Sequence, residues 1–165
     1  MSYVNAHGTG TPANDASEWQ GISTVLGARA ATTPVSSTKS YLGHAQGAAG
    51  VLEIISTLLA MQHGVVLPTL HFTRARPRGP VDPVAQATPR VHEVQHALCG
   101  NSAFGGANAA VVVSNTTIAR PPLASRHAGE AGGLSGAPLA ELALQRVKDF
   151  RAASGGKLPL VAAGG

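Results

Sequence analysis

The segment AAGVLEIISTLLAMQH, residues 48–63, constrains the fold more than any other. Wound as a helix, it places Val51, Leu52, Ile54, Ile55, Leu58, Leu59 and Met61 around most of its circumference. A helix this apolar is predicted to be buried rather than to lie on a surface. The chain must therefore supply layers around it. Glu53 is the awkward member of the segment, because a carboxylate in such a place wants a cationic partner. Lys39, just before the glycine-rich run YLGHAQGAAG, is the nearest candidate.

Short strands and glycine turns flank this helix. YVNA (residues 3–6) reads as a strand running into the turn HGTGTP. A helix follows, with Asn14 or Asp15 as its cap, Glu18 placed for a capping box, and Trp19, Ile22 and Leu26 on one face up to Gly27. PVSSTK (34–39) is a second short strand. VVLPTLHF is extended, and a proline-rich loop then runs to Pro89. RVHEVQHALCGNSAFGG reads as a strand into a turn, and NAAVVVSN (108–115) as a buried strand. The order β-α-β-α-β-β-β predicts a layered α/β fold. Beyond Asn115 a Pro- and Gly-rich stretch leads to an amphipathic helix with Leu139, Leu142, Val147 and Phe150 inward, then to the apolar strand KLPLVAAGG.

Length and composition narrow the function classes. The chain has 165 residues, enough for one ordinary domain, with 44% hydrophobic and 12% charged residues. The net charge is +4, but the densest basic run, TRARPRGP (73–80), is broken by prolines and lacks interleaved aromatics. It reads as a solvated loop, and no nucleic-acid partner is expected. A lone cysteine rules out an intrachain disulfide and fits a cytoplasmic setting. No stretch is long and apolar enough to span a bilayer, and the N-terminus has no signal-peptide pattern. HEVQH (92–96) matches a zinc-protease pattern, but in a strand its Glu would face away from both histidines, so no metal is expected.

Two histidines stand in glycine-bounded loops that follow strands and precede helices: His7 in NAHGTGTP and His44 in KSYLGHAQGAAG. In layered α/β folds ligand sites are built at such places. Each alone reads as a structural histidine. Brought together, two neutral imidazoles can hydrogen-bond a developing oxyanion and move protons. Thr9 and Thr11 lie beside them in sequence and suit a polar ligand chain.

VNAHGTGTPANDASE, STKSYLGHAQGAAGVLE and GNSAFGGANAAVVV resemble, in order and spacing, the C-terminal half of β-ketoacyl-acyl carrier protein synthases, acyltransferases of fatty acid and polyketide synthesis with the thiolase fold. The resemblance covers residues 2–114. It implies that His7 and His44 stabilise the enolate formed when a malonyl thioester loses carbon dioxide. Lys39 and Glu53 would organise that site, and Thr9 and Thr11 would hold the phosphopantetheine arm of an acyl carrier protein. Phe104 would gate the site and lend its backbone N–H to an oxyanion hole. The turn NSAFGGAN is one residue shorter than the family's. The family's nucleophilic cysteine belongs to an N-terminal half not found in this sequence, and Cys99, in HALCGNS, reads as a small buried hydrophobe. The chain alone is therefore expected to be inactive. A homodimer or an N-terminal ketosynthase half is the expected protein partner, and no cofactor is required by this chemistry.

SNTTIARPPLASRHAGEAGGLSGAPL and GGKLPLVAAGG resemble part of a class 2 dihydroorotate dehydrogenase, an FMN-binding β/α barrel. By that resemblance Asn115 and Thr116 match substrate-contacting positions, and Ser114, Gly136 and Gly165 flavin-contacting ones. A barrel cannot close on such a piece, so FMN binding is not expected. The sequence thus reads as a thiolase-like half-domain over 1–114, followed over 115–165 by a dehydrogenase-like fragment that is not an independent domain. NAAVVVSN suits both families, which points to a fused or chimeric reading frame. A non-catalytic interaction module is the alternative, since a half-domain leaves sheet edges to pair.

Overall fold

The computed structural model describes residues 1–114, 140–153 and 155–157. The chain divides into two compact units, Met1–Asn115 and Thr116–Gly165.

The first unit is built on a four-stranded sheet in the order β2-β1-β5-β6. Its strands are β1 (Tyr3–Asn5), β2 (Val35–Ser36), β5 (His96–Asn101) and β6 (Ala109–Ser114). β1 pairs in parallel with both β2 and β5, and β5 pairs antiparallel with β6. A two-stranded antiparallel ribbon joins β3 (Val65–Val66) to β4 (Arg90–Val91). Of the extended run expected from residue 65, only these two residues become strand.

β1 is buried on both faces, as a central parallel strand requires. Its alternation sorts two apolar clusters. Tyr3 points to one face, where it packs with Met61, Val66, Val84, Val94 and Ala97. Val4 points to the other, where it packs with Ala6, Trp19 and Val35, with Ile22 and Leu26 against them. Helix α1 (Pro12–Leu26) therefore covers one face and helix α3 (Ala49–His63) the other. Each fully buried aliphatic side chain in these clusters contributes about 1.5–3 kcal/mol.

Further expectations change. β6, expected to be buried, is exposed at every position except the half-buried Val113, as an edge strand allows. α1 begins at Pro12, which suits a first helical position, with Thr11 as its N-cap and no side-chain capping bond. Asn14 and Asp15 lie inside the helix, and Glu18 makes no capping box. Nor is α3 buried all round. Its buried positions are Ala49, Glu53, Thr57, Ala60 and Met61, whereas Val51 is 60% exposed and Ile55, Leu58 and Leu59 are about half exposed. Ala49, Glu53, Thr57 and Met61 recur every four residues and form the stripe that meets the sheet. The bulkier aliphatic residues fall on other faces. Gly64 closes α3 in the left-handed conformation, donating to the carbonyls of Ala60 and Met61.

In the second unit α4 spans Ala140–Ala153. Val147 is half-buried and Leu144 exposed. Leu139 and the expected strand of the KLPLVAAGG segment, apart from Lys157, lie outside the described residues, as do the side chains of Leu142 and Phe150. No helix among the described residues is long and apolar enough to cross a membrane.

Candidate active site

The α3 face of the sheet changes character along its length. Tyr3, Ala97 and Met61 make its apolar end. One step on, Asn5 is fully buried, and its Nδ2 donates to Thr57 Oγ1 (3.1 Å) and to the Glu53 carbonyl (3.2 Å). Cys99 pairs with Asn5 across the sheet, and its sulfur lies 3.2 Å from Thr57 Oγ1. Burial pushes this thiol up from its usual range, so it is no thiolate nucleophile. One step further, Asn101 Nδ2 donates to Glu53 Oε2 (2.6 Å). Glu53 Oε1 accepts from Lys39 Nζ, in an ion pair whose side chains are 2% and 7% exposed respectively. Lys39 opens a short helix, α2 (Lys39–Leu42), where the sequence suggests the end of a strand.

His7 stands above this floor. Alternation from Tyr3 through Asn5 carries it onto the same face as Glu53. Its ring centroid lies 5.3 Å from that of His44, and the two rings are nearly perpendicular at 85°. His7 is buried, and its Nδ1 has no hydrogen-bond partner among the described residues. Such an atom is rare enough to need a functional explanation. Burial, and next the charge of Lys39, hold the His7 imidazole below its usual pKa of 6.5, so the ring is neutral at pH 7.

His44 is exposed, and its Nδ1 accepts the Gln46 backbone N–H at 3.3 Å. In the neutral ring this leaves the proton on Nε2. Gln46 adopts φ +51°, an uncommon conformation for a side-chain-bearing residue, to present that N–H.

The loop carrying His7 is held by a residue the sequence reading assigned elsewhere. Glu18, on α1, accepts the His7 N–H (2.7 Å) through Oε1 and the Gly8 N–H (2.9 Å) through Oε2. Asn14 Nδ2 also donates to Oε2 at 3.2 Å. Gly8 sits at φ +42°, and a Cβ there would lie 2.5 Å from Ser37 Cβ. Only glycine lets the His7 loop pass so close to the segment after β2. Thr9 and Thr11 follow, their hydroxyls 3.1 Å apart at the surface.

Residues 1–73 match the family of the β-ketoacyl synthase C-terminal domain, and residues 84–165 match dihydroorotate dehydrogenase. Over 113 residues, 68% of this chain and 27% of the relative, the sequence is 40% identical to 3-oxoacyl-[acyl-carrier-protein] synthase 2 of Vibrio cholerae. A solved type II polyketide ketosynthase in complex with its acyl-carrier protein superposes with a TM-score of 0.66 at 31% identity, covering 69% of this chain and 28% of that one. The chain carries a β-ketoacyl synthase C-terminal domain at its N-terminus, followed by a dihydroorotate dehydrogenase-matching segment. The ketosynthase domain has the thiolase-like fold of its structural neighbours. The chain spans only about a quarter of the length of these ketosynthase relatives. The dehydrogenase match is close but short: 86% identity over 57 residues to dihydroorotate dehydrogenase (quinone) of Sphingopyxis alaskensis, 34% of this chain and 16% of that protein.

In the ketosynthase domain His7, His44, Lys39 and Glu53 come together. Phe104 follows the floor residue Asn101 by three positions, on the turn after β5, with its ring fully exposed. His92 is structural, its Nε2 donating to the Ser2 carbonyl at 2.8 Å. Of the flavin and substrate positions suggested for the second segment, only Ser114 is described, at the exposed end of β6. Asn115, Thr116, Gly136 and Gly165 lie outside the described residues. β6, which ends at Ser114, runs antiparallel to β5, whereas a β/α barrel is built from parallel strands.

Proposed function

We propose that the ketosynthase domain forms the malonyl-handling side of a condensing enzyme. The observation that carries this reading is the perpendicular pair of imidazoles, 5.3 Å apart, over the buried Lys39–Glu53 ion pair. When a malonyl thioester loses carbon dioxide, the electron pair of the broken C–C bond becomes an enolate, and its oxygen accepts hydrogen bonds from the two rings. A neutral ring keeps its N–H as a donor without adding a second buried cation beside Lys39. The nucleophilic carbon then attacks an acyl thioester, and the thiolate departs as the new C–C bond forms. Lys39 and Glu53 fix the floor, Thr9 and Thr11 hold the phosphopantetheine arm of an acyl carrier protein, and Phe104 supplies a gate and an oxyanion N–H from the rim.

The sole cysteine among the 165 residues, Cys99, is buried in the floor. The acyl-carrying thiolate therefore comes from outside them, and the 165-residue chain by itself carries out no condensation. Co-expression with a ketosynthase N-terminal half and assay with a malonyl carrier tests this. Product is expected from the pair, with a loss of about a hundredfold or more in His7→Ala and in His44→Ala. A well-folded pair that makes no product overturns the reading.

A second reading concerns the origin of the chain. The dehydrogenase match begins at residue 84, before β5 and β6, which complete the ketosynthase sheet. One stretch thus serves two families, as expected of a fused or chimeric frame joined near residues 114–115. An uninterrupted read of source DNA across codons 105–125 tests it, and separate genes in that read would refute it.

A further inference from the structure

The two sides of the four-stranded sheet are finished differently. On one side stands β2, only two residues long, and a neighbouring segment covers it. The Val35 N–H donates to the Asp82 carbonyl (3.0 Å), and the Val35 carbonyl accepts the Val84 N–H (2.9 Å). That covering segment carries Pro83, which has no N–H to offer a further strand.

On the other side stands β6, which carries none of the devices that close an edge. It pairs with β5 over six residues without a bulge, from His96↔Ser114 to Asn101↔Ala109. It contains no proline, and no Asp, Glu, Lys, Arg or His falls between Ala97 and Ala119. The run Val111, Val112, Val113 gives it strong β propensity. Val111 and Val112 are 42% and 38% exposed, although alternation puts them on opposite faces of the sheet. Alternate residues of an antiparallel strand turn their N–H and C=O groups outward. Among the described residues those of β6 meet no other segment. A neutral, unbroken strand with such an outer row is a template for another strand.

We propose that β6 pairs with β6 of a second copy of this chain, antiparallel about a twofold axis normal to the sheet, joining two four-stranded sheets into one. The edge has no charge with which to select an unlike partner, and it is its own complement. The axis keeps like faces together, so α3 and its counterpart lie on one side of the joined sheet and α1 and its counterpart on the other. A one-residue slip would set an α3-face side chain beside an α1-face one. The central pair is therefore Val112 with the partner's Val112, or Val111 with the partner's Val111. In either register the cross-strand pairs join only Ala, Val, Ser and Asn, so neither bulk nor like charge opposes them.

The full chain is sedimented over a range of micromolar concentrations as wild type, Val112→Lys, Val112→Glu and Ile55→Lys/Leu58→Lys. Urea unfolding followed by Trp19 fluorescence shows whether each variant folds, since Trp19 packs in the cluster on the α1 face. The last variant is the control for association through the half-exposed aliphatic residues of α3. The wild type is expected to dimerise. Val112→Lys and Val112→Glu each set like charges across the axis and should weaken the dimer about tenfold or more. An equimolar mixture of the two should recover it, because opposite charges then meet on one face, directly or diagonally. Hydrogen exchange at the outward β6 amides should slow as concentration rises in the wild type and in the mixture, and not in either charged variant alone. A chain that stays monomeric, a dimer that tolerates both charges, or one lost only in Ile55→Lys/Leu58→Lys overturns the pairing. Should a charged variant fail to fold, exchange in the wild type decides: outward β6 amides equally fast at every concentration overturn it as well. Protection at β6 that appears only when a ketosynthase N-terminal half is added assigns the edge to that half and refutes the second copy.

Discussion

Glu53→Gln tests the floor of the site directly. The substitution keeps the shape and removes the charge. In the native protein one carboxylate oxygen accepts from Lys39 and the other from Asn101 Nδ2 at 2.6 Å. A glutamine offers one oxygen and one NH2. Its NH2 must face either the ammonium or the Asn101 amide, donor against donor, and Lys39 keeps a charge that is 7% exposed with no counter-ion. Removing one member of a buried pair costs about 3–5 kcal/mol. At roughly 4 °C per kcal/mol for a unit of this size, Tm should fall by about 12–20 °C. Urea unfolding followed by Trp19 fluorescence measures the loss. Trp19 is the only tryptophan, and it is buried on the opposite face of the sheet, so it reports loss of the fold rather than a local change. Lys39→Met should also destabilise, and the double variant should cost less than the sum of the singles by more than about 1.5 kcal/mol. Additive losses, or a Glu53→Gln cost under about 1 kcal/mol, would refute the inference that this pair is buried and mutually dependent.

Gly8→Ala should destabilise by about 1–3 kcal/mol, because φ +42° is unfavourable for alanine and its Cβ would lie 2.5 Å from Ser37 Cβ; adding Ser37→Gly should recover part of the loss in the same urea assay. Glu18→Gln, which trades a charge-assisted acceptor of two backbone N–H groups for an amide, should cost about 1–3 kcal/mol and shift the His7 ring signals in NMR spectra. His7 has a folded pKa below its unfolded value, so the unfolded chain binds more protons there and stability rises with pH. Unfolding free energy should therefore fall as pH drops through about 6.5 and below, and His7→Gln should flatten that fall; a slope unchanged by the substitution would assign it to other groups. Cys99 should resist alkylation in the folded protein at neutral pH and react fully in urea, as mass spectrometry of the labelled chain would show.

Most of the order of strands and helices in the first unit was legible because glycine turns punctuate short apolar runs; α2, and the break at residues 92–95 that splits one expected strand into β4 and β5, were not. The Lys39–Glu53 contact was legible too, since a carboxylate inside so apolar a helix has few ways to be satisfied. Asn5, Thr57 and Asn101 were not. They gain meaning only from register: Asn5 and Cys99 are cross-strand partners, and Thr57 lies one turn after Glu53. Glu18 was misread because its spacing from Asp15 mimics a capping box, while the chain uses it to hold the preceding loop. The expectation for α3 failed for a related reason. A count of apolar residues does not say which face meets the sheet, and here that face is made of Ala49, Glu53, Thr57 and Met61.

That choice of face has a physical consequence for chemistry. A stripe of bulky aliphatics would have held α3 to the sheet as firmly, but it would have ended beneath His7 in hydrocarbon, where no group could fix a polar floor. The stripe instead passes from Met61, among apolar neighbours, through Thr57 and its bonds to Asn5 and Cys99, to Glu53 between Lys39 and Asn101. Each polar member is satisfied by another, which keeps the cost of burying it small. The same interdependence means that no single member can be removed cheaply. The groove beside the Thr9–Thr11 turn is built the other way: Thr9, half-buried, and Arg74 and Arg78, exposed, line it. The domain thus separates an interdependent buried floor from an accessible rim. Substitutions in the floor should appear first as lost stability, and substitutions around the groove as lost affinity in a protein that still folds.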